Sequence, residues 1–309
     1  MTFSQISKNE FVQHCKLVSE KSFFQSLEMG ELLTKRGYDV RFVGYRDNSS
    51  TIVISSLVFC KKMFGGLYME LNSGPVVSDN SYLDKFFQSL RDYAKHEGVL
   101  ELVVKPSQTY QTFDSNGQPL GFEDTHLIEM LTKNDFQYDG LQTGYPNGEP
   151  VWHYVKDLEG ITEDTLVSSF SKKGKVLSKK ANSFGLNITR LTKDELPRFK
   201  AITEATSNRR DYTDKPLDYY QDLFDTFSDR ADFLIASLNL TTYLDLLHSQ
   251  EDKLKKIAEN LVQDLSINPK SRKKGNELRE IESQIESFEQ RKQNAEQWIN
   301  KYGTSDIDI

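Results

Sequence analysis

Cysteine is nearly absent: Cys15 and Cys60 are the only thiols in 309 residues. Two thiols so far apart, with no Cys-x-x-Cys, argue against a disulfide framework and against a thiolate zinc site. Long apolar runs are absent too. The longest, Thr51–Cys60 and Gly98–Val104, fall far short of the roughly 20 residues a membrane helix needs. The opening Met1-Thr-Phe-Ser-Gln lacks a basic segment ahead of an apolar one, so no signal peptide is read there. Positive charge is in deficit: 39 lysines and arginines face 46 aspartates and glutamates, a net −7. That argues against a protein coating nucleic acid over its whole surface, while leaving room for one local basic patch. Also missing is a Gly-x-Ser-x-Gly nucleophile elbow, so Ser73-Gly74-Pro75 reads as a strand-ending turn. There is no glycine-rich pyrophosphate loop of the small-molecule acetyltransferase kind, and Lys173-Gly174-Lys175 is a poor substitute. The five histidines, His14, His96, His126, His153 and His248, are scattered. His126 with Glu129 and His248 with Glu251 offer two ligands each where zinc takes three or four. No metal or cofactor is therefore expected. With 37% apolar and 11% aromatic residues, the expectation is a soluble protein of a reducing cytosol, about two ordinary domains long, with any membrane contact peripheral.

The first half of the chain mixes helix and strand signals. Lys21–Arg36 has a helical apolar face of Phe24, Leu27 and Leu32–Leu33, stopped by Gly37. Val40–Tyr45 alternates as a strand, and the β-branched Thr51–Phe59 follows an Asp47-Asn48-Ser49 turn. Gly66–Leu71 is a further strand, Asp84–His96 an amphipathic helix, Gly98–Val104 a strand stopped by Pro106, and His126–Asn134 a helix. Helices alternating with short strands through tight turns predict a mixed α/β fold rather than a TIM barrel or an all-β one. Gly144–Pro150 is the expected linker, after which the pattern restarts. Trp152–Asp157, Leu186–Leu191 and Asp232–Leu238 are expected strands; Thr162–Phe170, Glu195–Thr206 and Leu217–Phe227 are expected helices.

From about Tyr243 the composition changes. Leu247, Leu254, Ile257 and Leu261, then Leu278, Ile281, Ile285, Phe288, Ala295, Ile299 and Tyr302, fall at heptad steps, with Lys292 as one charged seam position. Asn268-Pro269 interrupts them. The pattern predicts an antiparallel coiled-coil hairpin turning near Ile267–Lys274. The second α/β stretch, Val151–Leu240, has about 90 residues, below the usual domain size. An arm inserted there with only Gly303–Ile309 after it leads to the expectation that the chain stops inside its second domain. The expected domains are 1–150, 151–240 continuing at 303–309, and the arm 241–302.

Taken in order, these segments resemble the Fem-type aminoacyltransferases of bacterial cell-wall synthesis. The residues that carry the resemblance are Phe23-Phe24-Gln25-Ser26, Gly37-Tyr38-Asp39, Leu71-Asn72-Ser73-Gly74-Pro75-Val76-Val77, Asp135-Phe136 through Gly140, Gly144-Tyr145, Tyr154–Leu158 and the charged hairpin. Ser73 stands where arginine or lysine is usual, and Lys105 precedes Pro106 where relatives commonly carry an acid. The resemblance implies tandem acetyltransferase-like (GNAT-type) domains with the coiled-coil arm in the second. It also implies transfer of an amino acid from aminoacyl-tRNA to an amine of a peptidoglycan precursor, lipid-linked (lipid II type) or nucleotide-linked, which adds a residue to the interpeptide bridge. By the same resemblance the protein is expected in the cytoplasm, meeting the inner face of the membrane through its lipid substrate, and acting either alone or in association with itself or a sister enzyme. The alternative is a non-catalytic GNAT-like interaction protein docking through its arm.

Such a reaction needs amine and ester held in near-attack geometry, a proton removed from the ammonium, and a stabilised tetrahedral oxyanion. Both partners are polyanions. Lys172, Lys173, Lys175, Lys179 and Lys180 form a basic run in an expected helix-to-strand segment, suited to RNA phosphates and blind to sequence. Few aromatics lie beside it for base stacking. The resemblance adds Lys35, which stands where relatives use a lysine on the nucleotide-linked precursor. It also adds Lys215 and Tyr219, which match an Arg…Tyr pair, lysine lacking the bidentate fork of arginine. In relatives the residues nearest the acyl group lie largely beyond the arm. No catalytic residue is therefore named, and the polypeptide as given is expected to be weakly active or inactive.

Overall fold

A computed structural model describes residues 2–142 and 151–309; the expected linker 144–150, with Gly144-Tyr145, lies outside them. The chain folds as two units, Met1–Val155 with Asp222–Ala231, and Lys156–Gln221 with Asp232–Ile309. In chain order the first unit carries β1 (Thr2–Gln5), α1 (Lys8–Leu17), α2 (Leu27–Lys35), β2 (Asp39–Arg46), β3 (Ile52–Met63), β4 (Gly66–Asn72), β5 (Val76–Val77), α3 (Leu83–His96), β6 (Val99–Lys105), β7 (Thr112–Phe113), β8 (Pro119–Leu120) and α4 (His126–Lys133).

Its main sheet runs β1-β2-β3-β4-β6, with β5 against β3. All pairings are antiparallel except β4 with β6, which α3 connects in parallel as a crossover requires. Strand alternation explains the layering. Val43, Ile54, Val58, Met69 and Leu71 form one buried face with Phe86, Phe87 and Leu90 of α3. On the opposite face Phe42 meets Phe11 of α1 at 4.7 Å between ring centroids. Each such buried aromatic or aliphatic side chain contributes about 1.5–3 kcal/mol. Polar signals set the helix starts. Ser7 and Glu10 form a capping box on α1, and the Ser26 hydroxyl accepts from Met29 N to start α2. The expected Lys21–Arg36 helix is therefore shorter, because Phe23–Gln25 form a separate 3-10 turn ahead of the Ser26 cap. The sequence reading missed β1, α1 and the β7–β8 hairpin.

The second unit carries α5 (Glu163–Leu166), α6 (Lys172–Asn182), β9 (Asn187–Arg190), α7 (Leu196–Arg210), α8 (Leu217–Phe227, shared with the first unit), β10 (Leu234–Leu238), α9 (Leu240–Ile267), α10 (Arg272–Tyr302) and β11 (Ile307–Asp308). Its sheet is antiparallel, in the order β11-β10-β9. The Arg198 guanidinium grips the Asp308 carboxylate with two bonds of 3.0 and 2.9 Å. Trp152–Asp157 is not a strand. It is exposed and outside any regular element, and no strand among the described residues pairs with it, so its alternation has no ladder to join. Thr162–Phe170 is one helical turn and a 3-10 turn rather than a full helix. The basic run 172–180 lies wholly within α6, where a helix-to-strand segment was expected.

Helices α9 and α10 pack antiparallel. Lys274 reaches Asp264 near the turn at 2.7 Å, and Lys292 reaches Glu251 further along. Their facing seam steps by four and three through Leu240, Leu244, Leu247, Glu251, Leu254, Ala258 and Leu261, against Leu278, Ile281, Ile285, Phe288, Lys292, Ala295 and Ile299. Ile257 and Tyr302, expected in the seam, are 43% and 56% exposed. The phase passes through Glu251, so Ala258 occupies the place expected for Ile257. The one charged seam position on α10, Lys292, is matched by a buried carboxylate rather than left unpaired. Among the described residues no helix is long and apolar enough to cross a membrane.

Candidate functional site

In the first unit, polar side chains gather where the parallel strands β4 and β6 end. Register places Asn72 beside Lys105, and Ser73 N donates to Lys105 O at 2.7 Å. Glu70, two residues earlier, is buried. Its carboxylate accepts from the Tyr68 hydroxyl and from Lys105 Nζ, the latter at 2.9 Å. A carboxylate held by two donors is not a free base. Lys105 is paired with Glu70, and its side chain is partly open to solvent.

The turn that follows is built around Gln25. Its Nε2 donates to Asn72 O at 2.7 Å and to Leu57 O at 3.2 Å. Its Oε1 accepts from Leu57 N at 2.8 Å and from the Ser56 hydroxyl at 3.0 Å. All four bonds are buried, which ties β3, β4 and the 3-10 turn into one piece. The Gly74–Pro75 peptide is cis, and a Cβ at Gly74 would lie 2.7 Å from Gln25 Cδ. Glycine is thus required by contact with Gln25, a role that the aromatic-rich Phe23-Phe24-Gln25-Ser26 does not advertise. Lys35, the last residue of α2, is exposed; beside it Arg36 lies 3.5 Å from Asp222.

In the second unit the structure brings Lys215 and Tyr219 together. Lys215 Nζ sits 5.6 Å from the centre of the Tyr219 ring, within cation–π range. Sequence reasoning missed what holds them. Asp214 is nearly buried and accepts four bonds: Lys200 Nζ at 2.7 Å, Thr203 Oγ1 at 2.8 Å, Tyr220 OH at 2.7 Å and Lys215 N at 2.8 Å. Burial alone would raise its pKa, but the side-chain bonds from Lys200, Tyr220 and Thr203 outweigh that and hold it at about 2. Burial, then the bond to Asp214, pushes the Tyr220 phenol up to about 12. The hub therefore stays anionic and fixes the segment that presents Lys215. The only signal for it in the sequence was Asp214 next to Lys215-Pro216, since two of its partners come from α7.

The five lysines of α6 are exposed, and none makes an ion pair among the described residues. Lys172, Lys175 and Lys179 stand at i, i+3 and i+7, with Lys173 and Lys180 alongside, so all five share about half the helix circumference. The helix begins at Ser171, whose hydroxyl accepts from Gly174 N at 3.1 Å. It is pinned at its other end: Phe184 stacks on Tyr243 at 5.1 Å, and Arg291 of α10 donates to the Tyr243 hydroxyl at 3.1 and 3.2 Å and to the Ser183 hydroxyl at 3.3 Å. The C-terminal end of α6 is thus tied through Ser183 and Phe184 to the root of the α9–α10 hairpin, while its lysine face stays open to solvent. Lys35 belongs to the first unit; the α6 lysines, Lys215 and Tyr219 belong to the second.

Among the described residues no three His, Cys, Asp or Glu side chains converge as metal ligands. His14 is buried between the Ser55 and Ser78 hydroxyls at 2.7 and 3.2 Å; the other four histidines are exposed. Burial pushes the Cys15 and Cys60 thiols up to about 11, which leaves neither as a nucleophile.

The model of the FemAB family matches residues 6–309. The aminoacyltransferase FemA of Staphylococcus aureus strain RF122 is 24% identical over 313 residues, spanning 98% of this chain and 73% of that protein. The FemA of strain N315 matches to the same extent. The crystal structure of FemX superposes with a TM-score of 0.64 at 15% identity, covering 100% of this chain and 76% of that one; it supports the fold.

Proposed function

Because this chain belongs to the FemAB family, we propose that it is an aminoacyltransferase that uses aminoacyl-tRNA to extend the interpeptide bridge of a peptidoglycan precursor. The relatives it matches are named aminoacyltransferases. The observation that carries the tRNA half of the reading is the α6 face: five exposed lysines, without an ion pair among the described residues, on a chain of net charge −7. In this reading the two units correspond to tandem GNAT-type domains, the α9–α10 hairpin is a coiled-coil arm, and the arm root fixes the α6 face on which the acceptor stem rests.

The chemistry follows from an ester that is already activated. A precursor amine, once deprotonated, attacks the ester carbonyl. A C–N bond forms, the C–O bond to the tRNA ribose breaks, and the ribose oxygen takes up a proton. Lys35 and Lys215 serve the precursor phosphates as point charges, and Tyr219 packs beneath Lys215. Lys172, Lys173, Lys175, Lys179 and Lys180 neutralise tRNA phosphates. The protein supplies binding and orientation; no organic cofactor takes part in this scheme.

Filter binding of charged tRNA across a salt series tests the reading. Each phosphate contact contributes a slope of roughly 0.7–0.9 in log K against log salt. Replacing Lys172, Lys175 and Lys179 with alanine is expected to flatten the slope by about 2 and weaken binding at low salt. An unchanged slope would remove α6 from the tRNA site.

A further inference from the structure

We propose that the β3–β4 hairpin end of the first unit is a contact for an anionic lipid surface, carried by the protein itself. Phe64 and Gly65 form a two-residue turn between Met63 and Gly66, which pair across the ladder. Gly65 takes the positive φ, +85°, that such a turn needs. Tight turns ordinarily carry Asn, Asp or Gly. Here the other turn residue is phenylalanine, 102% exposed.

The apolar tip is wider than one side chain. The β4–β6 ladder slips after Leu67↔Val99, so that Tyr68 faces Glu101 and Leu100 is the extra residue. A bulge of this kind re-aims a side chain, and Leu100 is 62% exposed. It leans over the glycines of the turn: a Cβ at Gly66 would lie 2.7 Å from Leu100 Cγ, and one at Gly65 3.4 Å from Leu100 Cδ1. Met63, also exposed, completes the patch.

Cations surround it. Lys61 and Lys62 precede Met63, Lys61 lying over the Tyr68 ring at 4.5 Å. Lys95, in the last turn of α3, is exposed; its carbonyl accepts from Gly98 N at 3.2 Å, and the Gly98 carbonyl faces Gly66. Of the carboxylates nearby, Asp39 and Glu97 share Arg41 at 2.8 and 2.7 Å; with Glu101 they leave Arg41, Lys61, Lys62 and Lys95 one positive charge in excess. An apolar tip ringed by lysine on an otherwise acidic protein matches the interface of an anionic bilayer: side chains enter the headgroup boundary and the ammonium groups meet lipid phosphates. A soluble nucleic acid would gain nothing from Met63 and Leu100, and a deep bilayer insertion has no segment here to make it.

The contact is independent of the transfer reaction, so its test is a binding measurement. The full chain is sedimented with vesicles of phosphatidylcholine alone and of phosphatidylcholine mixed with phosphatidylglycerol, at low and high salt. Binding to the mixed vesicles, released by salt, is expected. Phe64→Ser should weaken it about tenfold, and Lys61→Ser with Lys62→Ser roughly twentyfold. Phe64→Ser should keep the parent's melting temperature, since its side chain is exposed, and the lysine pair should lower it only slightly, through the lost contact of Lys61 with the Tyr68 ring. The proposal is overturned if the parent chain ignores the mixed vesicles or if the variants bind as the parent does. It is also overturned if Phe64→Ser abolishes self-association while leaving vesicle binding intact, for then the patch faces a second copy.

Discussion

Replacing Asp214 with asparagine tests how the second unit builds its presenting segment. The variant keeps the shape and an acceptor oxygen but loses the charge that Lys200 answers at 2.7 Å. The native pKa of about 2, against an ordinary 3.8, corresponds to about 2 kcal/mol of stability at neutral pH. The sign follows from a lowered acid pKa: the unfolded chain takes up the proton first as pH falls. The contribution is therefore complete above roughly pH 5, falls to about half by pH 3, and is lost below pH 2. Urea unfolding of parent and variant from pH 7 to pH 3 should show a difference that shrinks over that window. At neutral pH the variant should also bind the nucleotide-linked precursor more weakly, because Lys215 loses its fixed backbone. A stability difference independent of pH, or none at all, would refute the hub.

The remaining predictions concern other parts of the fold. Gly74→Ala forces a Cβ onto Gln25 Cδ at 2.7 Å and should cost about 1–3 kcal/mol, read as a lower melting temperature. Burial holds the His14 imidazole below its ordinary value of 6.5, so the unfolded state binds the proton first. Stability should fall as pH drops below about 6.5, and His14→Gln should remove that part of the slope in denaturant titrations. Lys292→Ala leaves the buried Glu251 carboxylate with Lys255 alone, at 3.0 Å, and should destabilise the chain by about 1.5–3 kcal/mol, whereas leucine at both 251 and 292 should come much closer to the parent; a double-mutant cycle in urea measures the coupling.

What the sequence disclosed depended on whether the signal was local. The amphipathic α3 shows in the spacing of Phe86, Phe87 and Leu90, and the second arm helix in seven seam positions from Leu278 to Ile299. The first arm helix was read one step out of phase at Ile257. A hydrophobic pattern cannot see that Glu251 is a seam residue, because its burial depends on Lys292 in the other helix. Trp152–Asp157 alternates like a strand, but strand formation needs a partner, and alternation does not supply one. The basic run was legible as charge, while its helical arrangement depends on the Ser171 cap and the Arg291 contact. The Gln25 knot and the Asp214 hub were not legible. Gln25 bonds residues more than 30 positions away, and Asp214 draws Lys200 and Thr203 from the preceding helix.

The central claim is that this chain seats charged tRNA and a peptidoglycan precursor. Thermal melting with three ligands tests it most directly: aminoacyl-tRNA, the nucleotide-linked precursor, and acetyl-CoA. The account predicts that the first two each raise the melting temperature and that acetyl-CoA leaves it unchanged. Stabilisation by acetyl-CoA, with no response to tRNA or precursor, would contradict it.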